Sequence, residues 1–157
     1  DSWMTPVEYV EKARRVLGQI DLDPASSAEA NAVVQAARIF TKEEDGLSKL
    51  WKGTVWLNPP YSRGMVDAFV ETLCKAHLER RVPRAVLLVN VATDTGWFQD
   101  LMGKYPVCFV RGRIGFVLPG GERVDGNRYA QAFFFLGCSR EVVSREFGSV
   151  GSIMERT

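Results

Sequence analysis

A chain of 157 residues with 46% hydrophobic and 25% charged side chains has the make-up of a folded domain, which excludes a disordered tail and a fibrous repeat. At this length one domain is the simplest arrangement, burying roughly two-thirds of the surface its unfolded form would expose. A net charge of +1 excludes a generally basic polyanion binder, so any nucleic-acid site has to be local. No apolar run approaches the ~18 residues needed to cross a bilayer, and the polar start lacks a signal segment, so a cytoplasmic location with no membrane partner is expected. The three cysteines, Cys74, Cys108 and Cys138, are odd in number and sit in apolar surroundings, which reads as buried free thiols.

In chain order, Thr5-Pro6-Val7-Glu8 offers a capping residue, a proline at the first helical position and a glutamate three after the cap, predicting a helix from about Pro6 to Leu17 ended by Gly18. Ile20 to Asp23 reads as a short strand running into Pro24-Ala25-Ser26-Ser27, and an alanine-rich helix follows over roughly Ala28 to Ala37. Residues 41–51 look irregular and mixed in charge, before a strand over Thr54 to Leu57. Apolar positions Val66, Phe69, Val70, Leu73, Cys74 and His77 keep helical spacing from Met65 to about Arg80. The run Ala85 to Val91 has the continuous apolarity of a strand covered on both faces. Asp94 is positioned to cap a short helix through about Met102.

Val107 to Val117 and Ala130 to Leu136 read as two strands of an antiparallel hairpin, joined by a Gly- and Arg-containing loop. Ser139 caps a last helix to about Phe147, and the tail after Gly148 is expected to fray. Helices and strands alternate through the first two-thirds, the pattern of a layered α/β sheet with helices on both faces.

The stretch that carries chemistry is Thr54-Val55-Trp56-Leu57-Asn58-Pro59-Pro60-Tyr61. Two consecutive prolines remove two backbone donors and hold the chain extended, so a sheet cannot continue through them. At the carboxyl end of a strand in an open α/β sheet the ligand crevice lies close by. The Asn58 side-chain oxygen and the Pro59 carbonyl can then accept from one amino group, while Tyr61 offers a ring on which a planar heterocycle stacks, worth ~1–3 kcal/mol per base. A purine amine is a poor nucleophile because its lone pair is delocalised into the ring. Accepting both of its hydrogens stabilises positive charge developing on the nitrogen as it attacks a methyl group, and orientation of the two reactants supplies on the order of 7–11 kcal/mol of barrier. The plainer alternative is a rigid strand-to-helix turn, for which Asn-Pro is a common initiator.

The tetrapeptide resembles the D/N/S-PP-Y/F/W signature of amino-group methyltransferases that use S-adenosylmethionine. The ordered set W-x-T-P (Trp3, Thr5, Pro6), D-L-D-P-A-S (Asp21 to Ser26), D-G-L then W (Asp45 to Leu47, Trp51), W-L-N-P-P-Y (Trp56 to Tyr61) and T-D-T-x-W-F (Thr93 to Thr95, Trp97, Phe98) resembles the phage and prophage, Dam-like DNA N6-adenine methyltransferases over nearly the whole chain. The resemblance implies an α/β, Rossmann-like class I S-adenosylmethionine-dependent fold, with a mixed sheet and a C-terminal antiparallel hairpin. It also implies one catalytic domain over residues 1–157 without a separate recognition domain, S-adenosylmethionine as cofactor, and DNA as partner with its adenine flipped from the stack.

On this resemblance Asn58, Pro59, Pro60 and Tyr61 are the catalytic set. Asp23 matches the acid that binds the methionine ammonium group, with Pro24, Ala25 and Ser26 as adjoining backbone, although Asp-Pro also begins ordinary turns. Trp3, Thr5 and Pro6 match a segment lying against the cofactor, although capping by itself accounts for Thr5 and Pro6. Asp45 could accept from the cofactor's adenine or ribose or belong to a solvated face, and Asn58 also borders the cofactor. Arg63, Arg111, Arg113, Arg123 and Arg128 are candidates for phosphate contacts or simply solvated, and Phe116 lines the base pocket or is core.

The G-x-G loop of larger methyltransferases is missing from Asp23 to Ser27, which leaves the ribose-binding acid unassigned. His77, the single histidine, reads as packed core, and no metal is assigned. With little chain beyond the catalytic core, a relaxed or very short DNA word read by the hairpin around Arg111 to Arg128 is expected. The alternatives carried beside this reading are an RNA adenine or protein glutamine methyltransferase using the same NPPY site, and an inert nucleic-acid-binding, anti-restriction module.

Overall fold

The computed structural model describes residues 3–124 and 127–157, apart from the side chain of Arg63. The elements run α1 (Val7–Leu17), β1 (Leu22–Ser26), α2 (Ala28–Val34), β2 (Arg38–Thr41), β3 (Val55–Leu57), α3 (Met65–Leu78), β4 (Ala85–Asn90), α4 (Gly96–Lys104), β5 (Val107–Val110), β6 (Gln131–Leu136), α5 (Arg140–Phe147) and β7 (Gly151–Met154). The strands form one mixed sheet in the order β2-β1-β3-β4-β6-β5-β7. The first four strands are parallel, while β6 runs antiparallel to both β4 and β5, and β7 antiparallel to β5.

Alternation along β4 explains how one sheet holds two cores. Ala85, Leu87 and Val89 pack with Phe69, Leu73 and Phe98 from α3 and α4 on one face. Val86 and Leu88 pack with Val10, Leu17 and Phe147 from α1 and α5 on the other. β6 repeats the pattern, with Phe134 and Leu136 on the first side and Phe133 and Phe135 on the second. Six residue pairs from Ala85↔Leu136 to Asn90↔Gln131 fix its register against β4.

Several expectations change in detail. Thr5 caps nothing: Pro6 holds the cap position without a side-chain hydrogen bond, and the Thr5 hydroxyl is engaged elsewhere. α2 stops at Val34 rather than Ala37, because Asn31 accepts from the Ala36 amide and donates to its carbonyl while Gln35 turns left-handed. β1 begins later and runs further than expected, to Ser26. Pro24 is tolerated there because β3 pairs with β1 only at Leu22 and the ladder to β2 is irregular between Asp23 and Ser26, so Pro24 has no registered partner on either side. Thr95, not Asp94, caps α4 by accepting from Phe98.

Two strands went unread. β2, a four-residue edge strand, lies in the stretch between the expected helix and the irregular segment, overlapping the latter only at Thr41. β7 occupies the tail expected to fray, and it pairs with β5 from Val107↔Met154 to Val110↔Gly151. Gly151 permits that approach, since a Cβ there would stand 1.9 Å from the Phe109 carbonyl oxygen. The hairpin is antiparallel as expected, but β5 ends at Val110. Beyond it Val117 bridges to Met4 and to Arg123 instead of extending the strand.

The segment between β2 and β3 is clamped to the end of β1. Gly46 passes so close that a Cβ would lie 2.2 Å from the Pro24 carbonyl oxygen, and the buried Trp51 indole donates to the Gly46 carbonyl at 2.8 Å. The D-G-L…W spacing is thus a backbone contact that only glycine allows, locked by one indole. Replacing Gly46 by Ala has to push this turn off β1. Thermal or denaturant unfolding is expected to show a loss of roughly 2–4 kcal/mol, in the range of strongly disruptive core changes.

Candidate active site

β1 leads through α2 to β2 on one side of it, whereas β3 lies on its other side and leads through α3 to β4 beyond. Chain leaving the two strands departs in opposite directions, so the carboxyl ends of β1 and β3 border an open crevice. A cleft of about 410 Å³ lies there. Its walls are Pro24, Ala25 and Ser26 from β1, Asp45 and Gly46 from the clamped turn, Asn58 to Ser62 after β3, Asn90 at the end of β4, and Trp3, Phe116, Asn127, Tyr129 and Gln131 across from them. The diproline corner and the D-P-A-S strand end, 32 residues apart between Ser26 and Asn58 by number, therefore share one space.

Asn58 is half-buried and its orientation is fixed from behind. Its Nδ2 donates to Thr5 Oγ1 at 3.1 Å, and Thr5 is buried. With the amide nitrogen turned inward to the hydroxyl, Oδ1 is the acceptor left for the cleft. Pro59 and Pro60 follow with no N–H to compete. Tyr61 packs one part of its ring on the α3-side core and presents the rest to the cleft, and its hydroxyl receives the Asn90 backbone N–H. Burial pushes the phenol well above its ordinary range, with the Asn90 bond opposing, so it stays neutral.

Asp23 lies one residue deeper than the cleft wall and is 3% exposed. Its Oδ1 accepts from the Ala25 amide at 3.2 Å, which holds the strand end that lines the cleft. Burial raises its pKa to about 7, against the opposing pull of the Ala25 amide and the Ser26 hydroxyl. Among the described residues it makes no ion pair. A buried carboxylate with no cation beside it is suited to an incoming one.

Thr5 stands behind Asn58, and Pro6 only opens α1; neither lines the cleft, whereas Trp3 does, with its ring centroid 5.9 Å from that of Phe116. Phe116 is both buried and on the cleft wall. Asp45 is exposed at the mouth in a left-handed turn. The arginines Arg111, Arg113, Arg123 and Arg128 are exposed and off the wall. Arg123 sits 3.5 Å from Glu8, and the Arg128 guanidinium lies 5.9 Å from the Tyr129 ring at the rim. The Arg63 side chain lies outside the described residues.

Sequence reasoning missed Asn90, Asn127, Tyr129 and Gln131 on this wall. Asn90 carried a usable signal: like Asn58, it is an amide closing an apolar strand. Among the described residues no cluster of His, Cys, Asp or Glu is grouped to hold a metal, and no helix is long and apolar enough to cross a membrane.

The Asp23 pKa has a measurable consequence. The folded state keeps this proton up to about pH 7, whereas an unfolded aspartate releases it near ~3.9. Stability contributed by the neutral acid is complete below the lower value and is lost as pH rises through the upper one. Asp23→Asn is expected to flatten this dependence and to gain on the parent by up to ~4 kcal/mol in urea unfolding at pH 8, with little difference at pH 4.

A family model described as DNA N-6-adenine-methyltransferase (Dam) matches residues 1–154. The chain is also similar to the DNA N-6-adenine-methyltransferase of Escherichia phage T1, at 29% identity over 161 residues that cover 98% of this chain and 62% of the phage protein. The chain thus spans about three-fifths of that relative's length. The ordered motifs and the near-complete match agree: the chain belongs to the DNA N-6-adenine-methyltransferase (Dam) family.

Proposed function

We propose that the protein transfers a methyl group from S-adenosylmethionine to N6 of an adenine in DNA, the base being turned out of the duplex into the cleft. We read the fold as the Rossmann-like class I type. Four parallel strands flanking the β1/β3 divergence, with an antiparallel β6 inserted between β4 and β5, support that reading. The described residues act as one catalytic unit. The loops between β5 and β6, with Arg111, Arg113, Arg123 and Arg128, meet the phosphates and read a short or relaxed word.

The residues present fit the cofactor. Pro24, Ala25 and Ser26 with Asp45 and Gly46 would hold it, and the unpaired Asp23 carboxylate beneath them favours an ammonium group. When bound, the cofactor supplies an electrophilic methyl on a sulfonium. Asn58 Oδ1 and the Pro59 carbonyl take the two N6 hydrogens, which localises the lone pair on nitrogen and stabilises the positive charge that forms there. Tyr61 holds the ring in plane and keeps it aligned for attack. Transfer would break the sulfonium S–C bond as the N–C bond forms, leaving a neutral thioether, and N6 would release one proton to solvent, so no enzyme-bound covalent species is required.

The observation that carries this reading is the Asn58 amide, turned by Thr5 so that its oxygen serves the cleft. Nucleoside mass spectrometry after incubation with the cofactor and duplex DNA, RNA or a glutamine-bearing protein is expected to find N6-methyladenine in DNA. Labelling of protein alone would overturn the assignment. Asn58→Ala is expected to lower kcat by ~10²–10³ with near-parental unfolding. Thr5→Val frees the amide to rotate and should cost about tenfold in kcat, recovered by Thr5→Ser.

A further inference from the structure

The strand next to β3 ends on a second amide that faces the same cleft. Asn90 closes β4, and it is paired across the β4/β6 ladder with Gln131, the first residue of β6. Gln131 is 3% exposed, yet it lines the cleft. Its Nε2 donates to Asn90 Oδ1 at 2.7 Å and to the Tyr129 carbonyl at 3.5 Å. A backbone carbonyl only accepts, so it fixes which end of the Gln131 amide is nitrogen, and that in turn commits Asn90 Oδ1.

Two amide atoms remain: Asn90 Nδ2, a donor, and Gln131 Oε1, an acceptor. Neither has a partner among the described residues, and no buried side-chain nitrogen or oxygen lacks one, so both reach open space. The Asn90 backbone N–H meanwhile anchors the Tyr61 hydroxyl, placing this donor beside the stacking ring.

We propose that the Asn90–Gln131 amide pair determines base specificity, with Asn90 Nδ2 donating to a ring nitrogen that flanks the target amine while Asn58 takes the amine itself. This rests on the proposed adenine methylation. Adenine has ring nitrogens on both sides of N6, at N1 and N7. Cytosine has one beside its amine and a C–H on the other side, so a fixed donor distinguishes them if it serves the N7 side and merely strengthens binding on the N1 side.

The test compares initial methylation rates on synthetic duplexes carrying adenine, 7-deazaadenine or 1-deazaadenine at every adenine position. The parent is expected to lose ~10- to 100-fold in kcat/KM on 7-deazaadenine; a loss confined to 1-deazaadenine would put the donor where cytosine has the same nitrogen and would overturn the specificity role. Asn90→Asp, which still accepts from Gln131 but has no donor, should lose a similar factor on adenine and nothing further on 7-deazaadenine, at parental thermal stability. Asn90→Ala is the second variant, with the same expected pattern. A variant that loses equally on all three bases, or on none, overturns the inference while leaving adenine methylation standing. A parent inert on adenine duplexes removes both.

Discussion

The cleft is organised around one hydrogen bond, from Asn58 Nδ2 to Thr5 Oγ1. An asparagine amide has an acceptor and a donor at nearly the same reach, and rotation by half a turn exchanges them. In this protein Asn58 Nδ2 is held by Thr5 Oγ1, and Thr5 is itself held because the chain on its N-terminal side is tied to the β5–β6 loop region. The Met4 amide donates to the Val117 carbonyl at 2.7 Å, and the Val117 amide donates to the Met4 carbonyl at 2.8 Å. A residue 53 positions from the diproline corner thus anchors the amide that the corner presents. Were the amide reversed, its N–H would confront an amino group, donor against donor.

The layered sheet supplies the rest of the constraint. Prolines after β3 prevent the strand from continuing, so the chain leaves the sheet there and passes through a 3-10 turn at Ser62–Gly64 into α3. Tyr61 serves both the core and the cleft. Its ring packs under α3 while its hydroxyl is tied to β4, so a base lying on it meets a surface with little freedom to recoil. Across the cleft, the Gly46 turn is fixed by a backbone contact and an indole hydrogen bond. Both walls are therefore parts of the core that happen to be exposed at one edge, which limits the reorganisation needed on binding.

Much of this was legible in the sequence where the chemistry of a residue type dictates its place. The apolar run of β4, the period of α3 and the strand ending in Asn58-Pro59-Pro60 follow from side-chain periodicity and from the missing donors of proline. The Asp23 strand end and the NPPY corner were read as one site, and they line or underlie one cleft. What escaped was non-local. β2 and β7 are short edge strands whose four residues carry no run long enough to show a period, and they exist because a neighbouring strand offers an unpaired edge. Thr5 satisfied a helix-start pattern so well that its bond to Asn58 could not be anticipated. Gln131 reads as an ordinary polar strand start until the β4/β6 register sets it opposite Asn90.

The distribution of charge around the cleft follows from the same chemistry. Of the described wall residues only Lys42 and Asp45 are charged, and both belong to the β2 side. The wall around Asn58 is made of neutral amides and rings: Asn90, Gln131, Tyr61 and Phe116. Positive charge developing on an attacking amine would be opposed by a nearby guanidinium, with an interaction that grows as water is excluded. Phosphates, by contrast, need that guanidinium. The four exposed arginines of the β5–β6 region stand off the wall, so on the proposed function attraction for a polyanion and stabilisation of a cationic transition state would fall to different surfaces. The protein's near-neutral total of +1 is compatible with four exposed arginines in the β5–β6 region and a neutral wall around Asn58.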